Sequence, residues 1–386
     1  MKILVIIPGL SKEYNDIYYM FKYIADAGNE VLVLTRNRDP LKASGRLLPS
    51  HERDGSLEIY RLFNSAREQT WGFWKKMQQI SRIVSKFGPD IIVASHQYNL
   101  PLAIYIQRQL INVPIILLVE FAFNPRAPLW FLKEVKAISR KLLGRDSKLL
   151  FNIGAKIEKD VWSILTQVVS GIVTYNPLDR KFISFLREQY GVDVYYVPWP
   201  SVGYNEISNI TKVKERAIYV GALAPHKNIP EFYITIPRIL QETPTEEVYI
   251  IGDGKYRQVI DDLRRQYPQN IRHIKTLLRN EVLKLISSSY YSYVPSKRGS
   301  WGFILDSWRV RTPIISTHKH FELKSMHNSL VCSPERISDC INFLYENKKI
   351  YKKLCHNGYK KAKEHDALYV AGRMLLIFEN ILRGSS

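Results

Sequence analysis

Between Tyr293 and Ser316 the chain reads YVPSKRGSWGFILDSWRVRTPIIS. An apolar run ends at Val294 and is stopped by Pro295. Gly299 and Gly302 then bracket a turn in which backbone can approach a ligand closely. Phe303, Ile304, Leu305 and Trp308 mix with polar residues at helical spacing, Arg311 and Thr312 close that helix, and Pro313-Ile314-Ile315 opens another buried strand. A strand, a glycine turn and the start of a helix together offer free N–H groups and a favourable dipole to an anion such as phosphate. Asp306 stands about one turn into the helix, where its carboxylate can accept hydrogen bonds from a sugar hydroxyl. Lys297 and Arg298 add positive charge to the same turn. The same pattern also serves an ordinary α/β crossover, so these residues alone leave both readings open.

The elements that must position these residues are legible. Ile3 to Ile7 is a continuous apolar run, the mark of a strand buried on both faces. Tyr18, Phe21, Ile24 and Ala25 follow at helical spacing, with Gly28 placed to cap the helix. Strands are expected at 31–34, 57–62, 91–94 and 115–119, with a helix at 102–110. Such repeated β-α units predict a parallel, doubly wound sheet, whose ligands sit beyond the carboxyl ends of the strands. Those ends carry Pro8-Gly9, Thr35-Arg36, Ser95-His96-Gln97 and Glu120-Phe121. A carboxylate at Glu120 can orient a hydroxyl or accept a proton, or can simply be solvated. A second series of units runs from Ala217 onward. Its expected strands are 217–221, 247–253 and 271–274, and its expected helices are 255–266, 280–287, 337–345 and 348–354. A last helix is expected at 366–382.

With 386 residues the chain exceeds one typical domain and suits two of about 150–200 residues. Pro198-Trp199-Pro200 makes a stiff connection, so the boundary is expected there: one domain over 1–200, a second over 201–365, and a C-terminal helix, 366–383, returning to the first. No apolar run is long enough for a membrane-spanning helix, and the Met1-Lys2 start leads straight into a strand rather than a signal peptide. Cys332, Cys340 and Cys355 lie at no metal-binding spacing and read as reduced thiols of a cytoplasmic protein. Lysine and arginine number 56 against 36 acids, a formal charge of +20. Anionic partners are therefore expected: nucleotide phosphates, an anionic lipid surface or nucleic acid. Nucleic acid is disfavoured because no zinc spacing, helix-turn-helix signal or aromatic RNA-binding motif is present. Trp and Phe cluster with basic residues in 71–86 and 129–148, a composition that fits either a peripheral membrane contact or core rings beside a solvated face.

The stretch around Pro295 also resembles the nucleotide-sugar loop of glycosyltransferase family 4, a GT-B family with the approximate pattern P-S-x-x-E-G-F-G-x4-E-A-x-A-x-G-x-P-V-I. Pro295, Ser296, Gly302, Asp306, Trp308, Pro313, Ile314 and Ile315 match or nearly match it. Asp306 stands for the second acid of the pattern. Arg298 or Gly299 occupies the place of the first, which touches the donor sugar in the family. Further matches follow in order. Gly221 to Asn228 is similar to V-G-R-L-x-x-x-K-G, with Lys227 at the lysine that contacts the donor diphosphate and Ala222 in place of the arginine. Gly252-Asp253-Gly254 is similar to the G-x-G after a strand, and Glu322 to the acid of G-G-x-x-E, which touches sugar hydroxyls. Glu120 falls where the family often has a histidine near the bond being broken.

The resemblance implies a GT-B fold, two Rossmann-like domains facing a cleft. It implies transfer of a sugar from a UDP-, GDP- or ADP-sugar to a glycan or lipid-linked hydroxyl. Anomeric configuration would be retained, with no cofactor and no metal. It assigns Glu120 and Lys227 to catalysis, and Gly252, Lys297, Arg298, Gly302, Asp306 and Glu322 to donor binding. Because one acid and one arginine of the pattern are replaced, a GT-B binding or partner subunit without transfer activity is the alternative.

Overall fold

A computed structural model describes residues 1–12, 16–37, 47–70, 72–119, 167–175, 184, 191–202, 210–296, 300–320 and 322–384. Glu120, Lys297, Arg298 and the whole of 129–148 lie outside the described residues, as does Trp71.

The first sheet contains β1 (Lys2–Ile6), β2 (Glu30–Arg36), β3 (His51–Asp54), β4 (Leu57–Phe63), β5 (Ile91–Ser95), β6 (Ile115–Val119), β7 (Gly171–Thr174) and β8 (Val194–Tyr196). Its order is β3-β4-β2-β1-β5-β6-β7-β8, parallel except for the β3–β4 hairpin at one edge. Ile3 and Val5 enter one core and Leu4 and Ile6 another, so β1 is buried on both faces, as its unbroken apolar run predicts. Helix α1 (Asp16–Asp26) covers the first face. It ends as the sequence predicts, with Gly28 at a φ of 88°. Helices α2 (Ala66–Thr70), α3 (Met77–Phe87) and α4 (Leu100–Gln109) follow in the same half of the chain. Phe73–Lys76 is a single 3-10 turn that leads directly into α3. Phe73 packs against Tyr105, whereas Trp74 is 59% exposed.

The second sheet is parallel throughout. It holds β9 (Val213–Val220), β10 (Glu247–Ile251), β11 (Ile271–Ile274), β12 (Ser289–Val294), β13 (Ile314–Ser316) and β14 (Leu330–Val331), in the order β11-β10-β9-β12-β13-β14. Its helices are α5 (Phe232–Glu242), α6 (Arg257–Gln266), α7 (Arg279–Ser288), α8 (Trp301–Arg309), α9 (Ile337–Glu346) and α10 (Lys348–Lys363). Helix α8 ends in a Schellman motif, with Arg311 N–H on Trp308 O and Thr312 N–H on Ser307 O. Arg311 takes the left-handed conformation that glycine usually supplies there, at φ 54°.

Helix α11 (Ala367–Gly384) packs on α1 and delivers Val370, Met374 and Phe378 to the first core. The chain thus passes between the sheets twice, and the two passages lie side by side. Ser201 N–H donates to His365 O at 2.7 Å and Ala367 N–H to Ser201 O at 2.9 Å. Arg309 clamps the crossing, bonding Ser201 Oγ and O at 2.9 and 2.7 Å and pairing with Asp366 at 3.3 Å.

The reading of three reduced thiols is corrected. Cys332 and Cys340 form a disulfide, and Cys355 alone is free. The turn from β14 into α9 brings their Cα atoms to 6.6 Å, a proximity that their linear spacing does not announce. The bridge removes the thiol-based argument for a reducing compartment. Among the described residues no helix is long and apolar enough to cross a membrane.

Candidate active site

Because the second sheet is parallel, the turns after β9, β10, β12 and β13 all open on one edge. These turns carry Lys227, Gly252, Ser300 and His318 respectively. The first two are fitted together through glycine. Gly252 has φ 148°, and a Cβ on it would stand 1.9 Å from Gly221 O. Gly254 has φ 154°, and a Cβ there would stand 2.6 Å from Leu223 O. The sequence-level match at Gly252 therefore reflects backbone packed against backbone, which only glycine permits.

Lys227 ends a short 3-10 turn, Pro225–Lys227, and Asn228 follows in the left-handed region at φ 56° and ψ 35°. Asparagine is among the few residues that tolerate this conformation, so it can stand where the related pattern has glycine. Glu231 locks the turn from beneath. Its carboxylate accepts from Asn228 Nδ2, Tyr293 Oη (3.0 Å) and the Thr317 hydroxyl, and lies 2.9 Å from His318 Nε2. One buried acid thus ties the ends of β12 and β13 to the turn after β9. The Lys227 ammonium in turn donates to Ser300 Oγ at 3.1 Å. Burial lowers its pKa to about 8, because the charged form loses hydration.

Ser300 is the N-cap residue of α8, and Gly302 follows inside the first turn. Among the described residues nothing comes within 4 Å of where a Gly302 side chain would be. The start of α8 thus leaves open space at Gly302, beside the Lys227 ammonium. Gly302 and Asp306, four residues apart, share one face of α8. His320 packs edge-on against Trp301 with centroids 4.4 Å apart. Burial lowers its pKa to about 4, helped by the charge of Lys227 and opposed by Glu322, so the ring is neutral at pH 7.

Asp306 is already engaged. Its Oδ1 accepts from Arg279 Nη2 at 2.8 Å, while Arg279 Nη1 reaches Asp16 Oδ1 at 2.6 Å. Burial raises the Asp306 carboxyl above the ordinary aspartate range; the Arg279 charge opposes that shift and the Asp16 charge adds to it. Asp16 begins α1 beyond β1, and Arg279 begins α7 beyond β11. Their contact therefore turns the carboxyl edges of the two sheets toward each other.

Glu322 is also held. It pairs with Lys361 at 2.8 Å, lies 3.3 Å from the Tyr196 hydroxyl and 3.8 Å from His365 Nε2. It therefore stands at the crossing between the sheets. Of the residues singled out in the sequence, the structure brings Lys227 and Gly302 together at one edge, with Asp306 one turn further along α8. Asp16, Glu231, Arg279, Ser300 and His318 emerge only in three dimensions. The chain has the GT-B fold.

The comparisons agree with this architecture. Residues 214–347 match the family model described as Glycosyl transferases group 1. Three solved structures illustrate the fold. Sucrose-phosphate synthase from Thermosynechococcus elongatus superposes with a TM-score of 0.72 at 15% identity, covering 100% of both chains. The UDP-forming α,α-trehalose-phosphate synthase from Burkholderia xenovorans, in complex with glucose-6-phosphate, gives 0.71 at 10% identity, covering 98% of this chain and 99% of that one. HepE from Anabaena, in complex with UDP-glucose, gives 0.63 at 11% identity over 98% of this chain and 100% of that one. No curated protein matches the sequence.

Proposed function

We propose that the chain is a glycosyltransferase that moves a sugar from a nucleotide diphosphate sugar to a hydroxyl acceptor, with retention of anomeric configuration and without a metal. The observation that carries this reading is the Lys227–Ser300 contact, which sets a half-buried ammonium against the start of α8, where Gly302 leaves open space. Such a pair suits a diphosphate: backbone N–H groups bind its oxygens, and the ammonium stabilises charge that gathers on the leaving nucleotide. A lysine in this role supplies the charge that a metal would otherwise bring.

Asp306 would take the ribose hydroxyls, Gly252 and Gly302 would let backbone approach the nucleotide, and Lys297 and Arg298 would add charge from the neighbouring turn. Glu120 and Glu322 would face the sugar, Glu322 from its place beside Lys361. Two solved structures with the same fold are complexes with UDP-glucose and with glucose-6-phosphate. A UDP-sugar is thus the first donor to try and a sugar phosphate the first acceptor, with glycan and lipid-linked hydroxyls next. For a lipid-linked acceptor, Trp74 with Lys75 and Lys76 would meet an anionic membrane surface.

Thermal melting with UDP-, GDP- and ADP-sugars tests the reading, because a ligand that binds only the native state raises the melting temperature. A shift with one nucleotide class that is lost in Lys227→Met supports it. No shift with any donor contradicts it.

A further inference from the structure

The Asp16–Arg279–Asp306 cluster joins residues 263 and 27 positions apart in sequence, and its three side chains are only 9%, 14% and 13% exposed. One guanidinium is divided between two carboxylates on opposite sides of the cleft. Arg279 uses only Oδ1 of Asp306. Oδ2 has no donor among the described residues and remains for a ligand hydroxyl. The orientation of that carboxylate therefore depends on Arg279, and Arg279 is itself anchored by Asp16 from the other sheet.

We infer that Arg279 is a positioning residue that couples donor binding to domain closure, by orienting the ribose-binding oxygen of Asp306 while Asp16, from the other sheet, holds its other nitrogen. This rests on the donor-site reading above and adds to it residues from both sheets. If closure fixes Asp306, then a nucleoside diphosphate bound at Asp306 must favour closure by the same factor. Asp16 thereby raises nucleotide affinity without touching the nucleotide.

The test uses UDP as probe on the full chain, with affinity from titration calorimetry and the radius of gyration from X-ray scattering. Asp16→Ala is expected to bind UDP ~5- to 20-fold more weakly than wild type and to be more expanded without ligand, returning to the wild-type radius when saturated. Asp16→Glu restores most of both properties. Should Asp16→Ala fail to fold, Asp16→Asn keeps the shape, loses the charge and shifts both readouts in the same direction. Equal UDP affinity in wild type and a folded Asp16→Ala overturns the coupling and leaves the donor-site reading standing. A wild type that binds no nucleoside diphosphate removes both.

Discussion

Lys227 Nζ lies 3.1 Å from Ser300 Oγ, joining the turn after β9 to the start of α8. Burial has lowered the lysine to about 8, so its charged form dominates below that pH and fades above it. Affinity for a nucleoside diphosphate is therefore expected to be highest below about pH 8 and to fall as pH rises to 9.5. Calorimetric titrations of UDP across that range check the slope. Lys227→Met is expected to bind ~10- to 100-fold more weakly and to lose this component of the pH dependence.

The left-handed Asn228 makes a prediction about conformation rather than charge. Asn228→Gly keeps the backbone accessible and loses the bond to Glu231, at a cost of about 1 kcal/mol. Asn228→Ala loses the same bond and also strains the backbone, at a cost about 1–2 kcal/mol greater. Urea unfolding of the two variants measures the difference. If alanine were as stable as glycine, the left-handed geometry would not be what asparagine serves.

Gly252→Ala puts a Cβ 1.9 Å from Gly221 O, an overlap that only backbone movement relieves. The expected loss is about 3 kcal/mol, together with weaker nucleotide binding because both turns border the site. The denaturation midpoint and UDP affinity check the two effects separately.

Much of the fold was legible because it is written in local pattern. The continuous runs expected at 3–7, 91–94 and 115–119 fall on strands Lys2–Ile6, Ile91–Ser95 and Ile115–Val119, buried on both faces, and Gly28 caps the helix that the spacing of Tyr18, Phe21 and Ile24 predicts. The strand–turn–helix around Gly302 was legible for the same reason. What the sequence hid depends on distance along the chain. Arg279 looks like any helix-starting residue until Asp16 and Asp306 are brought to it from 263 and 27 positions away. Glu231 belongs to no motif in the sequence. Its burial follows from the convergence of Tyr293, Thr317 and His318 from separate strand ends.

The disulfide illustrates the same limit and yields its own test. Cys332 and Cys340 are 8 residues apart and meet only because β14 turns back into α9. Thiol titration of the denatured, non-reduced chain is expected to find one thiol, Cys355. Cys332→Ser with Cys340→Ser should lower stability by about 2–3 kcal/mol, the entropy of closing so short a loop. Three titratable thiols in protein purified without reductant would contradict the bridge.

The most direct measurement of the central claim is product formation: the chain with UDP-glucose and glucose-6-phosphate, with UDP release and a new glycoside followed together. The account predicts that UDP and glycoside appear in equal amounts, and that Lys227→Met reduces the rate at least ~100-fold while leaving the protein folded. If glucose-6-phosphate is not the acceptor, glycan and lipid-linked hydroxyls are tried with each donor that binds. A protein that binds a nucleotide sugar yet releases no nucleotide with any of these acceptors would contradict transfer as its function.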